Sequence, residues 1–463
     1  MTQKACIREK VTRAGMLVGP RIPGIRCVSS RFWSKPGLSI QIFAYVVALV
    51  RARAAPQCRG MEERFTGNFT QQEPISEAGI AAVADILRSG RLHRYNLAGA
   101  ERGAVAALEE EYAAWQGARH CLAVTSGGQG MQIALRAAGV QPGDPVLTNA
   151  FTLAPVPGAI AAIGARPVLV EVDDTLCIDL EDLRRKWEIC KASCLLLSHM
   201  RGHLCDMDKL VDLASTLGLT VIEDCAHTMG AEWNGVKSGN FGHAACFSTQ
   251  TYKHMNSGEG GLVTSNDAGF MARAIILSGS YMNHATHGTR PDDPDFADAR
   301  LDMPNCSARM DMMRAALLRT QLPDLPRNID RWARRFEAAA APLAANPAVS
   351  LPAMRPEMRR VGSSIQFRVP SLDPGGCDAL VQGCAARGVV LKWFGRDVPE
   401  GFTSAHPSWR YVDRQDLPQT DRILATLFDM RLPLTFPVED CDLIGRIIAQ
   451  EVAKLAPAQG ASL

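Results

Sequence analysis

No apolar run in this chain of 463 residues reaches the ~20 residues that a membrane-spanning helix needs. Paired cysteine spacing is missing as well. The 14 cysteines are scattered over a long chain, whereas a disulfide scaffold is small and Cys-dense, so the expectation is a reduced, cytoplasmic protein. Internal repeats and low-complexity segments are absent, and 47% hydrophobic against 21% charged residues excludes wholesale disorder. Acids are scarce in one region only. Residues 1–60 hold 11 Lys/Arg and a single acid, Glu9, while the remainder holds 39 basic and 47 acidic residues. The body is therefore mildly acidic, and its balance gives no reason to expect a nucleic-acid partner.

Those first sixty residues also lack helical or strand periodicity. Leu38–Val50 is a 13-residue, largely apolar run of signal-peptide type, followed by the small-residue pattern Ala52-Arg53-Ala54. The 37-residue charged leader before it exceeds a normal signal-peptide n-region. A start-codon artefact is the preferred reading, because composition changes at Met61, where a complete domain could begin. A targeting segment and a functional tail are the alternatives. In each case residues 1–60 are read as a basic extension outside the fold. Residues 61–325 are read as a large ligand-binding domain, and residues 326–463 as a long helix with a small C-terminal domain.

From Met61 the pattern alternates. Ser76 is a candidate N-cap for a helix with Ile80, Val83 and Leu87 on one face, ended by Gly90. Short apolar runs follow at Cys121–Thr125, Pro145–Thr148, Pro167–Val172, Cys194–Ser198 and Leu219–Glu223, with helical segments between them such as Met131–Ala138 and Met207–Leu217. Strands apolar on both faces and joined by helices predict a parallel sheet covered on both sides, an α/β fold. Two further runs, Ala244–Ser248 and Gly261–Thr264, come with tighter turns. Met310 to about Ala345 reads as one long helical pattern. Beyond Pro347, β-like runs (Ile365–Val369, Val389–Trp393) alternate with helices (Cys377–Arg387, Leu443–Leu455), which predicts a smaller α+β domain.

In such sheets ligands sit at the carboxyl ends of the strands. The first strand is followed by Thr125-Ser126-Gly127-Gly128-Gln129-Gly130 and a helix. That is a candidate phosphate cradle, since glycines admit an anion to free N–H groups at a helix start. Alone it reads equally well as a plain Gly-rich turn, and it lacks the third glycine of a dinucleotide fingerprint. Glu223-Asp224 ends a buried run, and a carboxylate there needs a partner. Asp224 is suited to a cationic ring nitrogen with His227 in support, or to capping the next turn. Lys253 stands before the Gly-rich turn Ser257–Gly261, where a desolvated lysine would have a lowered pKa and form a Schiff base. In that chain order the three features are the parts of a pyridoxal phosphate site.

These motifs resemble those of the DegT/DnrJ/EryC1/StrS aminotransferases, the sugar aminotransferases. The likeness runs from about Phe65 to Leu455, through AVTSGGQG, VIEDCAHTMG, KHMNSGEGG and SARMDMMRAA. The resemblance implies a three-layer αβα transferase fold (fold type I), pyridoxal 5'-phosphate as cofactor, and a homodimer with shared active sites. It also implies transfer of an amino group from glutamate or glutamine to a keto sugar, nucleotide-linked in the commonest relatives, or to another cyclic ketone. Carried over by motif, Lys253 is the catalytic Schiff-base lysine, Asp224 meets the pyridine nitrogen beside His227, and Ser248 with Gly128 and Gln129 holds the phosphate. The family's partner-chain asparagine corresponds to Asn305, displaced, or to Ser307. Family members usually have Thr at Gly128 and an aromatic ring at Leu153, where a leucine still packs but stacking is lost. Rival readings are a dehydratase of the family, in which histidine replaces the lysine and His254 would be the candidate, and a non-catalytic cofactor-binding regulator. A metal site at His199, His203, Cys205, Asp206 and Asp208 fits no standard zinc spacing, so no metal is expected.

Overall fold

The computed structural model describes residues 62–401 and 403–456. The N-terminal extension and its readings fall outside those residues. Among the described residues no helix is long and apolar enough to cross a membrane.

A seven-stranded sheet organises the chain from β1 to β9. Its strands are β1 (His120–Val124), β2 (Pro145–Asn149), β3 (Arg166–Val170), β4 (Cys194–Ser198), β5 (Thr220–Asp224), β8 (Ala244–Ser248) and β9 (Gly261–Ser265), in the order β1-β9-β8-β5-β4-β2-β3. Period-two alternation divides the side chains between two cores. In β4, Leu195 and Leu197 join Leu183, Leu210 and Leu213 on one face. Cys194 and Leu196 join Ile133, Ile160 and Ile275 on the other. Helices therefore cover both faces, as expected of strands that are apolar throughout.

The sheet is mixed rather than parallel. β9 runs antiparallel to both β8 and β1. The reason is connection length, because the 249–260 link holds no crossover helix and a parallel return requires one. The reversal brings Gly261 at the start of β9 opposite both Ser248 and Val124, at the ligand edge.

One other expectation needs correction. The long helical pattern is split into Met312–Gln321 and Leu325–Ala344 by a tight turn at Leu322–Asp324. Pro323, which lacks an N–H, sits in that turn. The helix Glu77–Ser89 is capped by Ser76 and ended by Gly90 as expected, and its Ile80 and Leu87 are 51% and 54% exposed. The helix packs through Gly79 instead, where an added Cβ would lie 3.1 Å from Leu317 Cδ1.

Two small three-stranded sheets complete the fold. One joins β6 (Glu232–Trp233), β7 (Val236–Lys237) and β10 (Met358–Arg359). The other, C-terminal, has the order β11 (Ser364–Arg368), β13 (Leu427–Arg431), β12 (Lys392–Trp393). Its apolar face carries Ile365, Phe367, Phe428 and Met430, packed against Phe65 and the helix Val438–Leu455. The central strand β13 was not legible in the sequence, because polar Asp429 and Arg431 interrupt its run.

Candidate active site

The carboxyl edge of the large sheet gathers the residues singled out from sequence. Ser126 caps the helix Gly127–Ala137, its Oγ accepting from Gln129 N at 3.1 Å. Three chain segments converge at that helix start. A Cβ on Gly127 would lie 3.0 Å from Ser248 Cβ, and one on Gly261 would lie 2.6 Å from Gly127 N. The cradle is thus glycine because backbone meets backbone there. Gly128 presents the next N–H of the first turn, where a helix favours an anion, and the Gln129 N–H beside it is held by Ser126 Oγ. Ser248 Oγ accepts from Gln250 N at 3.3 Å at the same edge.

Asp224 ends β5 with both oxygens held. Thr152 Oγ1 donates to Ser198 Oγ at 2.7 Å, Ser198 Oγ donates to Asp224 Oδ2 at 3.2 Å, and Ala226 N donates to Oδ1 at 3.1 Å. Burial pushes the Asp224 carboxyl up, and the hydrogen bonds from Ala226 and Ser198 oppose that rise. Asn149 locks this strand end, accepting from Ser198 N and donating to Ser198 O. Sequence reasoning did not identify Asn149, Thr152 or Ser198. Their one local signal is a polar residue closing an apolar strand or opening the loop after it.

Lys253 Nζ lies 2.6 Å from His227 Nε2. His227 Nδ1 accepts the backbone N–H of Arg201 at 3.2 Å. That acceptance assigns the ring as the neutral Nε2–H tautomer, since an imidazolium would set two donors against each other. Nε2–H then donates to Lys253, which must offer a lone pair. The lysine is accordingly a neutral amine. Its pKa is lowered to about 7, first by burial and then by the charge of Arg201. Burial, with the positive charge of Arg201, holds His227 well below its ordinary range. Arg201, also missed in the sequence, adopts φ +55° in a tight turn after β4 and donates through Nη2 to Asp429 Oδ2 at 2.6 Å.

The other candidates lie as follows. Leu153 packs at the border of the Phe151–Phe394 cluster. Asn305 is exposed, and its Oδ1 accepts from Ser307 N at 2.8 Å within its own turn. Its neighbour Arg309 bridges to Val124 at the end of β1. His254 turns away from His227 to Ser363 Oγ at 2.9 Å and stands edge-on to Trp332.

The His199–Asp208 segment is divided among separate tasks. His203 bonds Gln366, Asp206 caps a helix and Asp208 accepts from Trp233. Ligand atoms of His199, Glu223 and Cys225 lie within 4.8 Å of one another. Glu223, however, already accepts from His199 and from the backbone of Gly239, Phe241 and Gly242. Burial also keeps the Cys225 thiol protonated, well above the usual range.

A pyridoxal phosphate fits this set. The buried carboxylate Asp224 calls for a cationic nitrogen, the neutral Lys253 amine for a carbonyl, and the glycine-lined helix start for a phosphate.

Comparison with known proteins follows the same lines. A family model described as the DegT/DnrJ/EryC1/StrS aminotransferase family matches residues 74–443. A pleiotropic regulatory protein of Geobacillus stearothermophilus is 33% identical over 236 residues, 50% of this chain and 59% of its own length. The dTDP-3-amino-3,4,6-trideoxy-alpha-D-glucose transaminase of Streptomyces venezuelae is 32% identical over 338 residues, covering 69% of this chain and 82% of that protein. The crystal structure of 3-amino-5-hydroxybenzoic acid synthase superposes with a TM-score of 0.70 at 26% identity, covering 84% of this chain and 100% of that one. The chain spans little more than half the length of the first curated relatives it matches, 52% to 59%. The architecture is the αβα fold of the pyridoxal phosphate-dependent transferases, fold type I.

Proposed function

Because the chain belongs to the DegT/DnrJ/EryC1/StrS aminotransferase family, we propose that it is a pyridoxal 5'-phosphate-dependent aminotransferase. It moves the amino group of an amino acid, glutamate or glutamine, to a keto sugar or another cyclic ketone. The observation that carries this reading is the Lys253–His227 contact at 2.6 Å, which requires a neutral lysine amine.

When bound, the cofactor supplies an aldehyde to carry the amino group and a ring that takes up the electrons left when Cα loses its proton. The chain's own residues do the rest. Asp224, steadied by Ser198 and Ala226, holds a proton on the pyridine nitrogen. Ser248 and the Gly128 N–H bind the phosphate, beside Gln129. Leu153 would pack against the ring. Lys253 Nζ takes the proton from Cα as general base and returns it as general acid, and His227 orients the amine for that transfer. The homodimer is part of the proposal. Exposed Ile80, Leu87 and Leu92 offer an apolar surface for a second copy, and Asn305 of each chain would complete the other's phosphate site.

The test is an absorption spectrum of the cofactor-loaded protein before and after borohydride, with peptide mapping. A visible band fixed covalently at Lys253 is expected, and a label on another lysine would refute the assignment. Lys253→Ala is expected to abolish transfer while leaving cofactor bound, and normal turnover in that variant would sink the reading. The name of the Geobacillus stearothermophilus relative favours one second reading, a cofactor-binding regulator. A spectral change on adding an amino donor separates the two.

A further inference from the structure

The turn after β4 is gripped from two sides. Arg201 stands in the left-handed region at φ +55°, and Gly202 follows at φ +90°. A residue with a side chain rarely holds that conformation unaided, because its Cβ crowds the following carbonyl oxygen. On one side the turn is fastened to the partner of Lys253. The Arg201 N–H donates to His227 Nδ1 at 3.2 Å, and a Cβ on Gly202 would lie 3.3 Å from His227 O. On the other side the turn is fastened to the C-terminal sheet. Gln366 of β11 and Asp429 of β13 stand directly opposite each other in register, and each takes one residue of the turn. His203 Nε2 donates to Gln366 Oε1 at 2.9 Å, and Arg201 Nη2 donates to Asp429 Oδ2 at 2.6 Å. Gln366 Nε2 closes the clamp by donating to Asp429 Oδ1 at 2.9 Å.

The Asp429 side chain is fully buried and that of Arg201 is 7% exposed. β12 sets Lys392 opposite Asp429, yet the bonds that the two Asp429 oxygens accept come from Arg201 and Gln366. Removing one partner of a buried pair leaves the other as an uncompensated charge, which the turn has to accommodate. The pair with Asp429 holds Arg201 at its positive φ, and that φ aims the Arg201 N–H at His227. Without that N–H, the hydrogen of the neutral ring is no longer confined to Nε2. Moved to Nδ1, it would leave Nε2 as an acceptor, which calls for an ammonium rather than a neutral amine on Lys253.

We propose that Asp429 is a positioning residue for Lys253, acting through Arg201 and His227, so that the amine is held neutral and aimed only while the C-terminal sheet is seated on the turn after β4. This role rests on the aminotransferase reading, in which Lys253 moves the Cα proton. Asp429 touches none of the reacting atoms. Its effect passes along three contacts, from Asp429 to the Arg201 guanidinium, from the Arg201 N–H to His227, and from His227 to Lys253. The small sheet thereby controls a proton position in the large domain.

The test uses the cofactor-loaded full chain. Asp429→Asn is compared with two double variants, Asp429→Asn with Arg201→Gly and Asp429→Asn with Arg201→Met. Single turnovers with glutamate or glutamine, each also deuterated at Cα, report the proton transfer. Asp429→Asn is expected to slow it by about tenfold to a hundredfold, with a larger deuterium effect and a KM within about twofold of wild type. Both doubles lack the charge of Arg201 alike, so what separates them is the turn. Glycine holds a positive φ without a steric cost, and methionine does not. The glycine double is therefore expected to be about tenfold faster than the methionine double, a comparison that stands even where the single variant fails to fold. A second readout needs no turnover. The ring 15N shifts of His227, assigned by difference from His227→Gln, should place hydrogen on Nε2 in wild type and the glycine double, and partly on Nδ1 in Asp429→Asn and the methionine double. A wild-type tautomer and a rate within about twofold in Asp429→Asn, or a methionine double as fast as the glycine one, would overturn the role. Failure of the aminotransferase reading shows separately, as a wild type with hydrogen on Nε2 that reacts with no amino donor.

Discussion

At the scale of single residues, the chemistry turns on which atoms are donors. Lys253 stays neutral because His227 spends its one acceptor nitrogen on the Arg201 backbone and has only an N–H left to offer. This has a consequence for stability in the cofactor-free protein. Folding lowers the Lys253 pKa from 10.5 to about 7. Between those values the unfolded chain holds a proton that the folded chain lacks, so this residue's contribution to stability rises with pH across that window. Melting curves of wild type and Lys253→Met between pH 7 and pH 10 are expected to show a steeper rise in wild type, and parallel curves would refute the lowered pKa. Ser198 acts on the neighbouring group. Ser198→Ala removes a hydrogen bond to an ionised oxygen, worth about 1.5–3 kcal/mol, and leaves Asp224 easier to protonate. Cofactor dissociation, followed by absorbance, should be about tenfold or more faster. Lys253, Asp224 and His227 could be picked out in the sequence because each stands within a few residues of a strand end or glycine turn. Ser198 and Thr152 could not, because a serine closing a strand looks the same whether or not it touches a carboxylate 26 residues away.

At the scale of elements, the glycine turn at the start of the helix Gly127–Ala137 shows which glycines the packing requires. A Cβ on Gly261 would meet the Gly127 backbone nitrogen at 2.6 Å, and neither β9 nor the helix start can retreat from a buried sheet edge. Gly261→Ala should therefore abolish cofactor loading, measured as the visible band per protein. Gly128 differs, since an added Cβ would find only Ser126 Oγ at 3.9 Å. Gly128→Ala is expected to stabilise the protein by about 0.5–1 kcal/mol through helix propensity, read in denaturant unfolding. A loss of stability there would mean the turn needs glycine for another reason. The apolar runs of β4 and β8 were legible to the residue, because continuous burial leaves no polar interruption. The sense of β9 was not legible, since strand direction is set by what the connection can span. Nor was the outward face of Ile80 and Leu87, since periodicity shows that a helix has an apolar side but not what covers it.

At the scale of the whole molecule, the fold is anchored from Phe65 onward. Phe65 N donates to Arg387 O at 2.8 Å, and its ring stands edge-on to Phe436 at 4.8 Å in the C-terminal core. A chain begun at Met61 is expected to fold, load cofactor and form a dimer, whereas one begun at Thr70 should lose about 1.5–3 kcal/mol for Phe65 alone. Calorimetry and gel filtration of the two proteins check both statements, and loss of solubility and cofactor in the Met61-start chain would count against the first. Local pattern alone was enough for strand positions, helix caps, the glycine cradle and the order Gly-Asp-Lys, because each depends on neighbours a few residues apart. The Arg201–Asp429 pair joins positions 228 residues apart, and it exists only once β13 is laid against the turn after β4. Long-range pairing leaves no local trace in a sequence, so the meeting of Arg201 with Asp429 was decided by tertiary structure.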